Sequence, residues 1–405
     1  MSVPDHLLAG SLRSARFQFA ALGLMGGTWG AHIPSIKRGH ALDEAALAIV
    51  LLAAAIGCVA TLGVAGRVLA RLGTRRTTAL AALVMGASLA AVLPAPGYGW
   101  LLLDGFALGA SMALFDVCIN SEGAALEARG GRAVMSQLHA LWSLGAMGGA
   151  LAASALLAAG VAPKAQLAGV AGGVAAAMLV AARGMQAAPP AEPGQAHFTW
   201  PNRRLLLIGA LILAGMVAEG AMYDWSVLYL AQELGLAQSV AALGYAAFCL
   251  AMAGARFAGD ALRERFDERA LLLAGALLAA ASMTLVLLAR SPWVAFPGFV
   301  LVGAGLAPVA PILVMAAARV GGASPAASIA SATSVGTLGF MLGPPLVGAI
   351  AQAASLSAAL GVVVAAALAL AVGVRRLAAP AVPGPRNQSA VTPTQCTPPE
   401  RPPCP

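Results

Sequence analysis

Twelve stretches of mostly apolar residues divide this chain, and the Lys and Arg residues between them fall nearly all in alternate gaps. Each stretch reaches the ~20 residues that a helix needs to cross a bilayer. The spans read as 17–35, 44–65, 77–95, 99–121, 134–159, 163–182, 204–228, 238–258, 270–290, 292–317, 324–351 and 355–374. Of the 24 basic residues, only Lys37, Arg38, Lys164 and Arg290 lie on the opposite side from the rest. Positively charged short loops stay cytoplasmic. A miscounted span would invert every later loop and erase the bias. The expectation is twelve helices with both termini cytoplasmic, in the inner or plasma membrane of the cell.

The mean hydropathy of +0.84 and the small charged fraction, 10% of residues, fit a chain solvated by lipid. The net charge of +8 belongs to the cytoplasmic loops, so it argues for contact with anionic lipid and against nucleic acid. The first apolar segment is too long for a signal-peptide core and no A-x-A site follows it, so it reads as a retained span. Cys58, Cys118 and Cys249 lie inside spans as small core residues, while Cys396 and Cys404 lack zinc spacing and companion His residues. No Ser-His-Asp order, metal-ligand cluster or nucleotide loop occurs. The expectation is a protein that is not an enzyme and carries no cofactor or metal.

The longest polar interruption, rich in proline, separates six spans from six. Four regions follow: a bundle at 1–183, a cytoplasmic linker at 184–203, a second bundle at 204–378 and a disordered tail at 379–405, poor in apolar residues. The halves carry a faint repeat. Gly27 maps to Gly220 and Gly66 to Gly259 at one fixed offset; Ser143-Leu144-Gly145-Ala146-Met147 meets Thr337-Leu338-Gly339-Phe340-Met341 one residue further along. Parallel repeats of this kind build transporters in which two bundles rock about a site near the midplane.

The loop Gly66-Arg67-Val68-Leu69-Ala70-Arg71-Leu72-Gly73-Thr74-Arg75-Arg76 resembles the signature G-x-L-A-D-R-x-G-R-K/R of the major facilitator superfamily. The resemblance covers nearly all of 15–377. It departs at Ala70, where the family usually has Asp, a residue that helps hold the outward-facing state; the second half keeps Asp260 within Arg256-Phe257-Ala258-Gly259-Asp260. By this resemblance Gly66, Arg71, Gly73, Arg75, Arg256 and Asp260 form the cytoplasmic gate. Asp116-Val117-Cys118-Ile119-Asn120, Met135 to Gly145 and Glu219 to Trp225 are similar to a branch related to the fucose permease. Asp116 and Asn120 fall where that permease has its proton-coupling acid and an Asn. His139 and Trp142 replace two of its polar residues, so the resemblance does not imply fucose as the substrate.

Ionisable groups inside a span cost about 2.5–3.5 kcal/mol on insertion scales, so each needs a reason. Asp116 and His139 lie at similar depth on either side of one loop and read as a hydrogen-bonded pair, either a proton relay or a structural clamp. Glu219 has no cation in the outer half of any span. It reads as a second proton-coupling candidate or as a helix-packing group. Trp29, Asn120, Trp142, Tyr223 and Asp224 are the candidate substrate-binding residues, with Trp29 open to an alternative role in the outer aromatic belt. Gly-rich segments such as Gly145 to Gly149 read as close helix contacts. The resulting expectation is a monomeric secondary transporter of a small solute, coupled to protons. The alternatives are an exporter of drugs or metabolites and, from another class, a membrane-embedded sensor or lipid-handling protein.

Overall fold

The computed structural model describes residues 5–130, 134–185, 200–320 and 324–377, and all regular structure among them is helical. In chain order the helices are α1 (Asp5–Gly39), α2 (Glu44–Leu62), α3 (Ala65–Leu72), α4 (Thr74–Ala91), α5 (Tyr98–Gly130), α6 (Met135–Ala158) and α7 (Pro163–Ala182). The second set is α8 (Arg203–Gln232), α9 (Gln238–Arg265), α10 (Glu268–Ala289), α11 (Pro292–Leu306), α12 (Val309–Ala318), α13 (Pro325–Ala353) and α14 (Leu356–Arg376). Every span expected from the sequence has its helix. The short α3 belongs to a loop, and α11 with α12 forms one span interrupted at Ala307-Pro308. Pro308 lacks the N–H that would continue the ladder, which explains the break. Most of the linker at 184–203 and all of the tail at 379–405 lie outside the described residues.

Among the described residues, ten spans are long and apolar enough to cross a membrane on length and composition alone. The other two, α1 and α4, carry basic residues in their N-terminal parts, Arg13 and Arg16 in one and Arg75 and Arg76 in the other. α5 runs for 33 residues, about 50 Å at ~1.5 Å per residue. That exceeds a ~30 Å hydrocarbon core, so the helix is longer than a single crossing needs.

Packing repeats from one half to the other. α1 lies along α6 and α7 as α8 lies along α13 and α14; α4 lies along α5 and α7 as α10 lies along α11 and α14; and α2 on α5 corresponds to α9 on α11. The two large contacts between halves, α6 on α9 and α2 on α13, exchange with one another under the same correspondence. The chain is therefore two six-helix bundles with equivalent internal packing. Small residues set the closest approaches. A Cβ at Gly27 would stand 2.0 Å from the carbonyl oxygen of Ala146, and one at Gly145 would stand 1.9 Å from that of Ala20, so α1 and α6 touch backbone to backbone.

Candidate functional site

Three helices converge where the halves meet. α6 brings His139, Trp142 and Ser143, α8 brings Glu219, Tyr223 and Asp224, and α9 brings Tyr245, Phe248, Cys249 and Arg256. On α8 and α9 the polar residues recur at spacings of about one turn, so each helix turns one face to the others.

The chemical centre is an ion pair. The Arg256 guanidinium donates to Glu219 Oε1 at 3.1 Å and to Ser143 Oγ at 2.8 Å. The Tyr223 hydroxyl donates to the same Glu219 oxygen at 3.0 Å. Both charged side chains are mostly withdrawn from solvent, 13% exposed for Arg256 and 17% for Glu219. An arginine of the second half is thereby hydrogen-bonded to a serine of the first. Above this polar cluster lies an aromatic layer centred on Tyr223. Its ring meets Trp142 at 5.6 Å and Phe248 at 5.3 Å, both edge to face, and Tyr245 at 5.7 Å. Such pairs contribute about 0.5–1.5 kcal/mol each beyond their buried area. Trp29 packs against the cores of both halves, and its neighbour Gly30 lies against the Tyr245 ring and the Tyr223 carbonyl.

The structure changes three expectations. Asp116 and His139 do not pair. α5 packs on α2 and α4, whereas α6 packs on α1 and α9, so the two helices of the hairpin diverge. Asp116 stays beside Asn120 on its own helix and near Cys58 of α2; Asn120 donates its amide to the Asp116 backbone carbonyl at 2.9 Å. His139 sets its ring edge-on to Phe19 at 5.4 Å and lies near Arg256. Secondly, Glu219 is not without a cation, because Arg256 reaches it from the other end of α9. Thirdly, Arg256, expected with Asp260 at the cytoplasmic gate, turns its guanidinium to Glu219 and Ser143. It lies about 14 Å in from Arg265 along the helix, at ~1.5 Å per residue. The placement of the Asp260 side chain lies outside the described residues.

Of the other expected residues, Asp224 is half-buried beside Tyr245 and makes no hydrogen bond or ion pair among the described residues. Gly66 and Arg71 are exposed on α3. Gly73 joins α3 to α4 at a φ of 76°, a conformation that favours glycine. Arg75 donates to the Met185 carbonyl at 2.5 Å, which ties this loop to the end of α7 within its own half. Sequence reasoning missed Ser143, Tyr245 and Phe248 as partners of the cluster. The fixed-offset repeat did contain Ser143, but it gave no chemical reason to single it out.

The Major Facilitator Superfamily model matches residues 17–335 and, in a second match, 207–400. The chain belongs to the major facilitator superfamily. Among curated relatives of this superfamily member, an uncharacterised MFS-type transporter of Yersinia pestis is 31% identical over 350 residues, covering 86% of this chain and 91% of the relative. The membrane protein MosC of Rhizobium meliloti is 30% identical over 355 residues, covering 86% of each. Solved structures share the fold. The nucleoside transporter NupG superposes with a TM-score of 0.70 at 14% identity, covering 91% of this chain and 98% of that one. A bacterial homologue of the lysosomal transporter Spinster, inward-facing and occupied, gives 0.68 at 16% identity, covering 90% and 94%. FucP in its outward conformation gives 0.63 at 16% identity, covering 90% and 97%. This major facilitator protein is thus an integral membrane protein of a family that carries small solutes.

Proposed function

We propose that the chain is a proton-coupled symporter that moves a small solute by alternating access, with Glu219 and Arg256 as its coupling pair. One observation carries this reading: Arg256 binds a carboxylate of its own half and a hydroxyl of the other half at once. A buried ion pair holds only while both members stay charged, and removing one partner costs about 3–5 kcal/mol. Protonating Glu219 releases Arg256, and the contact with Ser143 loosens with it. A proton on one side chain then acts on the interface between the bundles. The aromatic layer of Trp142, Tyr223 and Tyr245, with Trp29 beside it, supplies flat apolar surface next to the donors and acceptors below. Sites of this composition suit a small organic solute. NupG and FucP, two structures with the same fold, bear names describing a nucleoside transporter and a fucose:proton symporter.

Asp116 and Asn120 form a second polar site within the first half, and His139 lines the approach to the pair. Asp224 directly follows Tyr223 on α8, about one and a half turns from Glu219. The charge bias of the loops supports both termini lying in the cytoplasm; in this reading the protein sits in the inner membrane and acts as a monomer without cofactor or metal. The test is uptake into proteoliposomes under an imposed pH gradient, screening pools of sugars, polyols, nucleosides and amino acids. Accumulation that follows the gradient and collapses with a protonophore supports the reading. Uptake indifferent to the gradient would make the protein a uniporter or exchanger.

A further inference from the structure

The ends of the helices on the face that carries the α1–α2 turn hold a second contact between halves, separate from the ion pair. Gln238 opens α9, and its side-chain amide engages α1 at three residues. Its nitrogen donates to the Ala31 carbonyl at 2.8 Å and to Ser35 Oγ at 2.9 Å. Its oxygen lies 3.0 Å from the Ser35 hydroxyl and also accepts from the Arg38 guanidinium. The α1 side of this contact is itself braced. His32 is fully buried and reaches Gln166 of α7 at 3.1 Å. Lys37 pairs with Glu44 at the start of α2 at 2.5 Å. On the same face, a Cβ at Gly348 of α13 would meet Ala48 Cβ of α2 at 2.1 Å, so α2 and α13 are also in close contact there. At the opposite face, loop residues bond within their own half: Arg75 to Met185, Arg263 and Arg319 to Glu268, and Arg269 to the Arg375 carbonyl.

We infer that Gln238 is the latch of the closed outer face, the group that must let go of α1 before the site opens outward. The geometry suits a latch better than a permanent clamp. A glutamine amide is neutral, so it exchanges α1 for water without exposing a buried charge. Every group it holds on α1 lies within two turns, from Ala31 to Arg38, so a tilt of that one helix end releases all of them together. Calling this face outer rests on the orientation proposed above.

The test uses Cys249, which is buried beside Tyr245 and Arg256. Cys58, Cys118, Cys396 and Cys404 are replaced by serine in the full chain. A membrane-impermeant maleimide is applied to right-side-out and to inside-out vesicles, and alkylation of the Cys249 peptide is followed by mass spectrometry. Gln238→Ala raises the rate from the outside by about three- to tenfold, the range for a net loss of one ordinary hydrogen bond. A Ser35→Cys/Gln238→Cys pair does the reverse: oxidation lowers the outside rate below that of the parent, and reductant restores it. Unchanged rates in the single variant from both sides, or an oxidised pair that labels like the parent from both sides, overturn the latch. A rise confined to inside-out vesicles keeps the latch and overturns the orientation.

Discussion

Arg256 on α9 lies 2.8 Å from Ser143 on α6, and this hydrogen bond joins a charged residue of one six-helix bundle to the other bundle. The same guanidinium neutralises Glu219. One side chain therefore both balances the Glu219 carboxylate and makes a polar contact between the halves.

Neutralising one member of the pair leaves the other charged in a poorly solvated place. Arg256→Gln and Glu219→Gln each lower thermal stability in detergent, by about 3–5 kcal/mol where the remaining charge stays buried. The double variant Glu219→Gln/Arg256→Gln recovers much of that loss, because no charge is left alone. Melting curves of the three proteins against the native chain check this. Additive losses in the double variant would show that the two groups do not act as a pair.

The Tyr223 ring and its hydroxyl have separable roles. Tyr223→Phe keeps three ring contacts and loses one hydrogen bond to a charged acceptor, worth about 1.5–3 kcal/mol. Tyr223→Ala loses the ring contacts as well, and removing so large a buried ring costs about 3–5 kcal/mol in total. The expected order of melting temperature is native, Phe, Ala. Equal loss in both variants would mean that the aromatic layer contributes nothing.

Asp116 and His139 are expected to behave as independent sites. The helices that carry them diverge, so the effects of Asp116→Asn and His139→Gln on transport add to within about 0.3–0.5 kcal/mol. A double-mutant cycle on initial uptake rates measures this. A coupling well above that range would restore the direct pairing that the sequence suggests.

Glycine tolerance should follow the backbone contacts. Gly27→Ala and Gly145→Ala place a Cβ about where a carbonyl oxygen of the neighbouring helix stands, at 2.0 and 1.9 Å, whereas Gly148 has no atom within 4 Å of that position. The first two substitutions reduce folded yield and stability by about 1–3 kcal/mol, as overpacking does elsewhere. Gly148→Ala is silent. Yield after size-exclusion chromatography separates the two outcomes.

Span number and the pairing of the bundles were legible in the sequence, because lipid demands long apolar helices and the basic loops mark alternate gaps. Even the span interrupted at Pro308 was counted correctly, since a local break does not shorten the apolar run. The site was legible in its parts and misread in its pairings. Asp116 and His139 are close along the hairpin, and depth alone suggested contact. Depth carries no information about which way each helix turns after the loop, and here α1 takes the place beside α6. Glu219 looked unpaired because its partner comes from far along α9, and a sequence position near the basic loop made Arg256 look like a gate residue. A long arginine reaches well beyond its own backbone level, so the residue and its charge belong to different regions. The contacts of Gln238 depend on how the two halves meet, which no local pattern encodes.

The most direct test of the coupling pair is solute-driven proton movement in proteoliposomes, comparing the native chain with Glu219→Gln, using whichever solute pool the gradient screen identifies. With the native protein, adding solute is expected to alkalinise the external medium. Glu219→Gln should still exchange labelled solute across the membrane while moving no protons. Proton uptake by Glu219→Gln at the native ratio to solute would contradict it and remove Glu219 from the coupling path.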